Sequence, residues 1–547
     1  MSLNDRSGSL ALAFLSTAML AYEVVQIRTF SFSLHPLVAF SAISIAMLGM
    51  GLGSILPGVF PKYSQGARTT GLAALGLGLA IVVSNLIFAH GSENIVVHDT
   101  LQVRPLWLVL VLLPAVVPYV FCGLCITLLL QQGGISTGRR YFWNLVGSAL
   151  GCVIVGVLLR PLGAERIVLG SAVLASAVGA GLLLFASDNT EKKARLIGVI
   201  SALVAVLFAA LLPVASTVFP YQPDANELIY KEESEGRERV VREHTQWDPV
   251  GRIDVLKHGP EHLLVPDPVA FRSITNDSGA MTLLLEEPSD PAWGKAVFEE
   301  SIYSLAYRAH AGKPEVLVIG VGGGTDVQTA LRWNASQITG VEISLSTVSL
   351  VTGPYAKFAG WPLKSDRVHL LHGDGRSFAK STSQRFDVVQ MSGVDTITMH
   401  SASAMVTAED RLYTTEAFVD FLSLLKPGGV YAVIRFGDEA INLSAIASTA
   451  LRRLGIDSPA SHIIAARQAW MSGILVQKEP FSDDQLKRVL QIEQRAHASN
   501  VSIPHYDSVG VRLGDPVEIL HPPGRIPDSR YTQFFSLVNS STSAALA

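Results

Sequence analysis

Seven apolar runs fill the first two-fifths of the 547-residue chain and leave few folds open to it. They lie at about 8–30, 37–60, 70–90, 105–130, 142–160, 165–187 and 196–219, each near the ~20 residues an α-helix needs to cross a bilayer. The pattern predicts a multi-pass α-helical membrane domain of about seven spans. The first run is too long for a cleaved signal peptide, carries Glu23 and Arg28, and is followed at once by another run. Small residues at Gly49, Gly51 and Gly53, and at Gly147 and Gly151, predict close helix contacts. Glu23 and Arg28 are costly inside a bilayer unless paired or used, and their spacing is five rather than the three or four that joins one helix face. A structural role in the bundle and a role in substrate access are both open. The segment 105–130 contains Pro114 and Pro118 and is compatible with a re-entrant path.

The charges divide with the apolar runs. Residues 1–220 hold 12 Lys+Arg against 7 Asp+Glu, whereas the remainder holds 30 against 39. An acidic second half argues against nucleic acid as a partner, because phosphate binding wants a basic surface. The basic loops at Lys62/Arg68, Arg139/Arg140 and Lys192/Lys193/Arg195 all go to the cytoplasm by the positive-inside rule. Seven spans would then put the second half outside, which conflicts with a cytoplasmic nucleoside ligand. A cytoplasmic catalytic domain is the preferred expectation. Of three cysteines, Cys122 and Cys125 form a C-x-x-C inside an apolar run. A thiolate is poorly solvated there, so packing is expected rather than redox chemistry. No metal site is predicted.

Beyond the runs the pattern changes twice. Short alternating segments at Val240–Gln246, Arg252–His258, His262–Val265, Phe271–Thr275 and Met281–Leu285 predict a small antiparallel sheet. From Pro314 onward strands alternate with helices, which predicts a parallel sheet with crossover helices. The expected strands are Glu315–Gly320, Ile338–Ile343, Val368–His372, Asp387–Met391 and Val430–Arg435. Thr415–Leu425 is a helix with Thr414 or Thr415 as its cap, stopped by Lys426-Pro427-Gly428-Gly429. The expected division is a helical bundle over 1–220, a linker and small sheet over 221–290, a Rossmann-like α/β domain over 291–480, and a C-terminal helix and tail over 481–547.

The glycine run Gly320-Val-Gly322-Gly323-Gly324-Thr325-Asp326 follows the buried strand Val316–Ile319 and precedes a helix. Glycines at that point allow a tight turn and let a ligand approach the backbone. Glu342 ends the next strand, 22 residues after Gly320, where a carboxylate can hold both hydroxyls of a ribose. His372-Gly373-Asp374-Gly375 ends the third strand and offers a second carboxylate for an adenine amino group. Together they predict a nucleoside site. NAD fits less well, because Thr325-Asp326 stands where G-x-G-x-x-G wants glycine or alanine.

Val316-Leu-Val-Ile-Gly-x-Gly-Gly-Gly, Gly340-Val-Glu342-Ile, Gly373-Asp374-Gly-Arg-Ser-Phe and Phe386-Asp387-Val-Val, with Asp277-Ser-Gly and Met281-Thr282 upstream, resemble the spermidine synthase family of aminopropyltransferases. The likeness spans about 240 to 440. The preceding runs, with Tyr22-Glu23…Arg28 and Asn144…Gly147…Gly151, resemble the membrane-fused branch of that family. The resemblance implies an S-adenosylmethionine-dependent methyltransferase-like fold behind a small sheet, and a transferase of polyamine biosynthesis. It implies S-adenosylmethionine or its decarboxylated form as donor, with Glu342 on the ribose and Asp374 on the adenine beside Gly375. The turn Gly320, Gly322 and Gly324, with Asp326, would hold the methionine-derived tail. Two positions depart from the family. The Asp that holds the donor amine is Gly323 here, with Asp326 the nearest carboxylate. The Asp-Ser-Ser-Asp after the fourth strand reads Ser392-Gly393-Val394-Asp395, so the family's base position holds Ser392. The glutamine that the family has near Asp277 is not evident either.

Gln390, Ser392, Asp395, Thr396, His400 and Tyr413 remain on the acceptor side. Asp395 is the expected base or orienting group, with a turn carboxylate as its plainer reading, and His400 is the alternative base. Two classes stay open. One is an enzyme alkylating an amine or a lipid-borne acceptor, by aminopropyl, aminocarboxypropyl or methyl transfer. The other is a non-catalytic nucleoside-binding regulator of the bundle. A homo-oligomer is compatible with either.

Overall fold

The computed structural model describes residues 5–34, 41–61, 66–97, 102–132, 137–185, 192–223, 241–257, 271–277, 280–285, 294–295, 298–358, 360, 362–394, 409–469, 471–496, 517–521 and 534. The chain forms two compact units. The first holds 1–235 with 246–252, and the second holds 236–245 with 253–547.

The first unit is helical: α1 (Asp5–Ser33), α2 (Ser41–Val59), α3 (Ala67–Gly91), α4 (Pro105–Gln131), α5 (Thr137–Phe185) and α6 (Lys192–Leu211), with a small hairpin, β1 (Val96–Val97) and β2 (Gln102–Val103), between α3 and α4. Among the described residues six helices are long and apolar enough to cross a membrane, not the seven expected. The difference lies in α5. The runs at 142–160 and 165–187 are two limbs of this one 49-residue element, broken at Gly163 two residues after Pro161. Gly163 adopts φ 80°, a left-handed value open to glycine. A straight helix of that length would run roughly 70 Å, so each limb by itself approaches spanning length. The re-entrant path considered for 105–130 is not what forms: α4 continues as one helix through Pro114 and Pro118.

Small residues set the helix spacing. A Cβ on Gly147 would press into the Ala13 backbone of α1, and one on Gly53 into the Val120 carbonyl of α4. Gly51 faces open space and takes no part. Glu23 and Arg28 form no ion pair with each other among the described residues, and Arg28 instead donates to the Val250 carbonyl at 3.4 Å, within the same unit. Beside them a polar cluster satisfies itself. Tyr119 Oη donates to Gln26 Oε1 (2.5 Å), Gln26 Nε2 and Asn85 Nδ2 donate to Tyr22 Oη (3.0 and 3.1 Å), and Tyr221 Oη donates to Asn85 Oδ1 (3.0 Å). Cys122 and Cys125 are buried and unbridged, as packing groups would be.

Two sheets follow in the chain. Four strands, β3 (Val241–Asp248), β4 (Gly251–Lys257), β5 (Phe271–Asn276) and β6 (Ala280–Leu285), lie side by side in that order. The expected strand at His262–Val265 lies outside the described residues. The larger sheet has eight strands: β7 (Glu315–Ile319), β8 (Gln337–Glu342), β9 (Val368–His372), β10 (Phe386–Ser392), β11 (Leu425–Phe436), β12 (Ile463–Gln468), β13 (Met471–Val476) and β14 (Glu518–His521), in the order β14-β12-β13-β11-β10-β7-β8-β9. Pairing is parallel from β9 to β11 and antiparallel beyond it. The helices are α7 (Leu305–Ala309), α8 (Thr325–Arg332), α9 (Leu345–Thr352), α10 (Gly375–Ser381), α11 (Thr415–Ser423), α12 (Ala440–Arg453) and α13 (Asp483–Ala496). One apolar core, with Val316, Val318 and Val388, and another, with Leu317, Ile319 and Val389, separate along the alternation of β7 and β10, as a sheet covered on both faces requires.

Most boundaries shift by one or two residues, and the start of β11 shifts by five. Strand β11 begins at Leu425, not Val430, because Leu425 pairs with Phe386 across an irregularity that absorbs Lys426–Gly429. Helix α11 ends at Ser423, and Thr414 is its cap, accepting from the Ala417 amide at 3.1 Å. The tail expected after 481 includes α13 and also contributes β14 to the sheet.

Candidate active site

The chain crosses from one side of the sheet to the other between β7 and β10. In open α/β sheets the crevice at the carboxyl ends of the strands flanking this switch is where ligands bind. The glycine turn leaves β7 at this point. Gly320 donates to the Val341 carbonyl (2.9 Å), which ties the turn to β8. Gly322, at φ 51°, donates to Glu342 Oε2 (2.9 Å), and the Ser344 amide donates to Glu342 Oε1 (2.9 Å). The carboxylate is buried and held from two sides at the end of β8. Gly324 caps α8 with a left-handed backbone.

The Gly323 amide donates to Thr282 Oγ1 (2.9 Å), which seats β6 against the turn. A Cβ on Gly323 would collide with the Leu283 carbonyl. The missing aspartate at this position is therefore matched by a strand packed too closely for any side chain.

Asp374 follows β9 and caps α10, with Oδ1 accepting from the Ser377 amide (2.7 Å). It is exposed. Gly375 lets α10 start against Ile319, whose Cγ2 would lie 2.6 Å from an added Cβ. Glu342 thus ends β8 and Asp374 follows the neighbouring β9.

Asp326 and Ser392 meet, which their spacing of 66 residues did not announce. Ser392 Oγ donates to Asp326 Oδ1 at 3.1 Å, and Gln390 Nε2 donates to the same oxygen at 2.7 Å. Asp326 is 5% exposed. Burial pushes its carboxyl up to about 7, against the pull of the Ser392 and Gln390 hydrogen bonds. Burial, and then the neighbouring Asp326 charge, raise the Tyr303 and Tyr307 phenols above their ordinary range. Asp395, Thr396 and His400 lie outside the described residues. Tyr413 carries the Arg435 guanidinium over its ring at 4.2 Å, a contact that orders the start of α11. Asp387, part of the same motif pattern, belongs to the opposite end of the sheet. It accepts from the Glu315 amide (2.8 Å) and Lys426 Nζ (3.0 Å) and is structural.

Residues 295–451 match the model of the spermine/spermidine synthase domain. The C-terminal region carries a spermidine synthase domain. Among curated proteins, the region is similar to polyamine aminopropyltransferase 2 of Hyperthermus butylicus, 29% identical over 153 residues, or 25% of this chain and 48% of that protein. It is also similar to the polyamine aminopropyltransferase of Korarchaeum cryptofilum, 25% identical over 195 residues, covering 33% of this chain and 58% of the other. The chain thus spans about half the length of the curated relatives it matches. The solved spermidine synthase of Thermotoga maritima aligns over 49% of this chain and 81% of its own, at 17% identity and a TM-score of 0.32. All the glycine-turn and carboxylate residues just described fall within the matched synthase domain.

Proposed function

We propose that this chain is a membrane-embedded transferase that moves the aminopropyl group of decarboxylated S-adenosylmethionine to an amine. The observation that carries this reading is the Glu342 carboxylate, clamped by the Gly322 and Ser344 amides at the switch point with Asp374 after the next strand. Glu342 binds the ribose hydroxyls, Asp374 reads the adenine amino group, and the turn Gly320–Gly324 passes the sulfonium arm toward Ser392. The amine nitrogen attacks the carbon next to the sulfonium, the carbon–sulfur bond breaks, and its electron pair stays on sulfur as a neutral thioether. Leaving-group departure needs no proton, so the protein's task is to position the amine and take its proton.

The six long apolar helices embed the chain in the membrane. One span would suffice for a tether, so their number favours an amphipathic or lipid-borne amine as acceptor. The synthase domain faces the cytoplasm, where the donor is made. The test is release of methylthioadenosine from labelled decarboxylated donor by the full chain in bilayer discs, with a primary diamine or a long-chain alkylamine as acceptor. Acceptor-dependent release supports the reading; no release with any amine contradicts it.

A further inference from the structure

We infer that Asp326, acting through the Ser392 hydroxyl, accepts the proton that the attacking amine gives up. The inference rests on the transferase reading above and assigns a role at the same site. Ser392 ends β10 and is half-buried, so its hydroxyl is reachable from the crevice, one strand away from the glycine turn. The contact of Val394 with Gly320 brings the two chain segments together. Behind Ser392 stands Asp326, on the first turn of α8, its Oδ1 receiving both Ser392 Oγ and Gln390 Nε2.

A purely structural acid at this place would cap α8 or join an ion pair. Asp326 does neither. Its side-chain partners are on β10, and among the described residues no Lys, Arg or His forms a salt bridge with it. The groups facing it are Tyr303 and Tyr307 from the segment packed over α8, and Gln390 and Ser392 from β10. Gln390 Nε2 also donates to the Tyr303 carbonyl (3.3 Å), which fixes the amide. Its Oε1 is buried and meets no donor among the described residues. Ionised Asp326 accepts from the two donors, Ser392 Oγ and Gln390 Nε2, and can take up one proton. With its carboxyl up at about 7, the group exchanges that proton near neutrality.

The step balances. As the new carbon–nitrogen bond forms, the ammonium gives a proton to Ser392 Oγ, and the Ser392 hydroxyl proton passes to Asp326 Oδ1. The sulfur keeps the electron pair of the broken bond, and Asp326 releases its proton to solvent after turnover. Ser392 touches the amine; Asp326 is the group that works through it.

The test uses the full chain in bilayer discs with decarboxylated S-adenosylmethionine and a primary diamine. For the wild type, kcat/KM should fall about tenfold per pH unit below about 7. Asp326→Asn should lower kcat by at least ~10²-fold and abolish that limb. Asp326→Asn/Ser392→Asp, which moves the carboxylate to the strand end, should regain at least ~10-fold of the loss. Ser392→Ala, a smaller change, should lose a similar factor and covers the case in which Asp326→Asn does not fold. Turnover kept with an unaltered pH limb in Asp326→Asn or in Ser392→Ala overturns this role alone. Absence of wild-type turnover with any amine overturns the transferase reading and this role with it.

Discussion

Glu342 is where the account is most exposed at the level of single side chains. On the proposed function its removal takes away two charge-assisted hydrogen bonds to the donor ribose, and it also frees the Gly322 and Ser344 amides that it gathers. Glu342→Ala should weaken donor binding by roughly 2–4 kcal/mol, or ~30- to ~1000-fold in Kd. Gly323 offers a second check. Restoring an aspartate there would look from the sequence like a gain of donor selectivity, but the Leu283 carbonyl occupies its space. Gly323→Asp should lower the melting temperature of the synthase domain, and the wild type should discriminate only weakly between intact and decarboxylated S-adenosylmethionine; a strong preference in side-by-side titrations would contradict this. Asp326 links function to stability. Its folded carboxyl lies at about 7, raised above the ordinary 3.8, so the folded state holds a proton that the unfolded state has released between these values. Its contribution to stability is therefore greatest below about pH 4, falls as pH rises toward 7, and is level above it, a cost on the order of 4 kcal/mol. Asp326→Asn should then melt higher than wild type at pH 8 and nearly together with it at pH 4. The sequence made Glu342 and Asp374 legible, because each follows a strand at a fixed distance from the glycine turn. It could not make the Asp326–Ser392 contact legible, since a distance of 66 residues carries no periodicity and only the closed sheet brings the two together.

Elements were readable where local chemistry decides them and misread where tertiary packing overrides it. The parallel strands showed as apolar runs, and Thr414 announced α11 with its hydroxyl; Thr414→Ala should cost about 1 kcal/mol in the unfolding of this domain. The prolines of α4 suggested a break that does not occur; the helix runs through both, with its own Pro118, Tyr119 and Cys122 buried. Strand β14 was invisible, being four residues whose partner β12 lies some fifty residues upstream. Lys426–Gly429 reads as a stop, yet the larger sheet draws it into β11. In the helical unit the glycines are the determining residues. Gly147→Leu should separate α1 from α5, seen as loss of a monodisperse peak on size exclusion, whereas Gly51→Leu, facing open space, should not.

At the scale of the chain, the split between an apolar, slightly basic first part and an acidic second part was plain from composition, and two compact units follow it. Which residues bind the donor is the claim on which every functional statement depends. The measurement that tests it most directly is calorimetric titration of the full chain in bilayer discs with decarboxylated S-adenosylmethionine and with methylthioadenosine, for wild type, Glu342→Ala and Asp374→Ala. The account predicts saturable binding of one ligand per chain, weakened ~30- to ~1000-fold by Glu342→Ala and measurably by Asp374→Ala. Unchanged affinity in both variants, or no binding by the wild type, would contradict it.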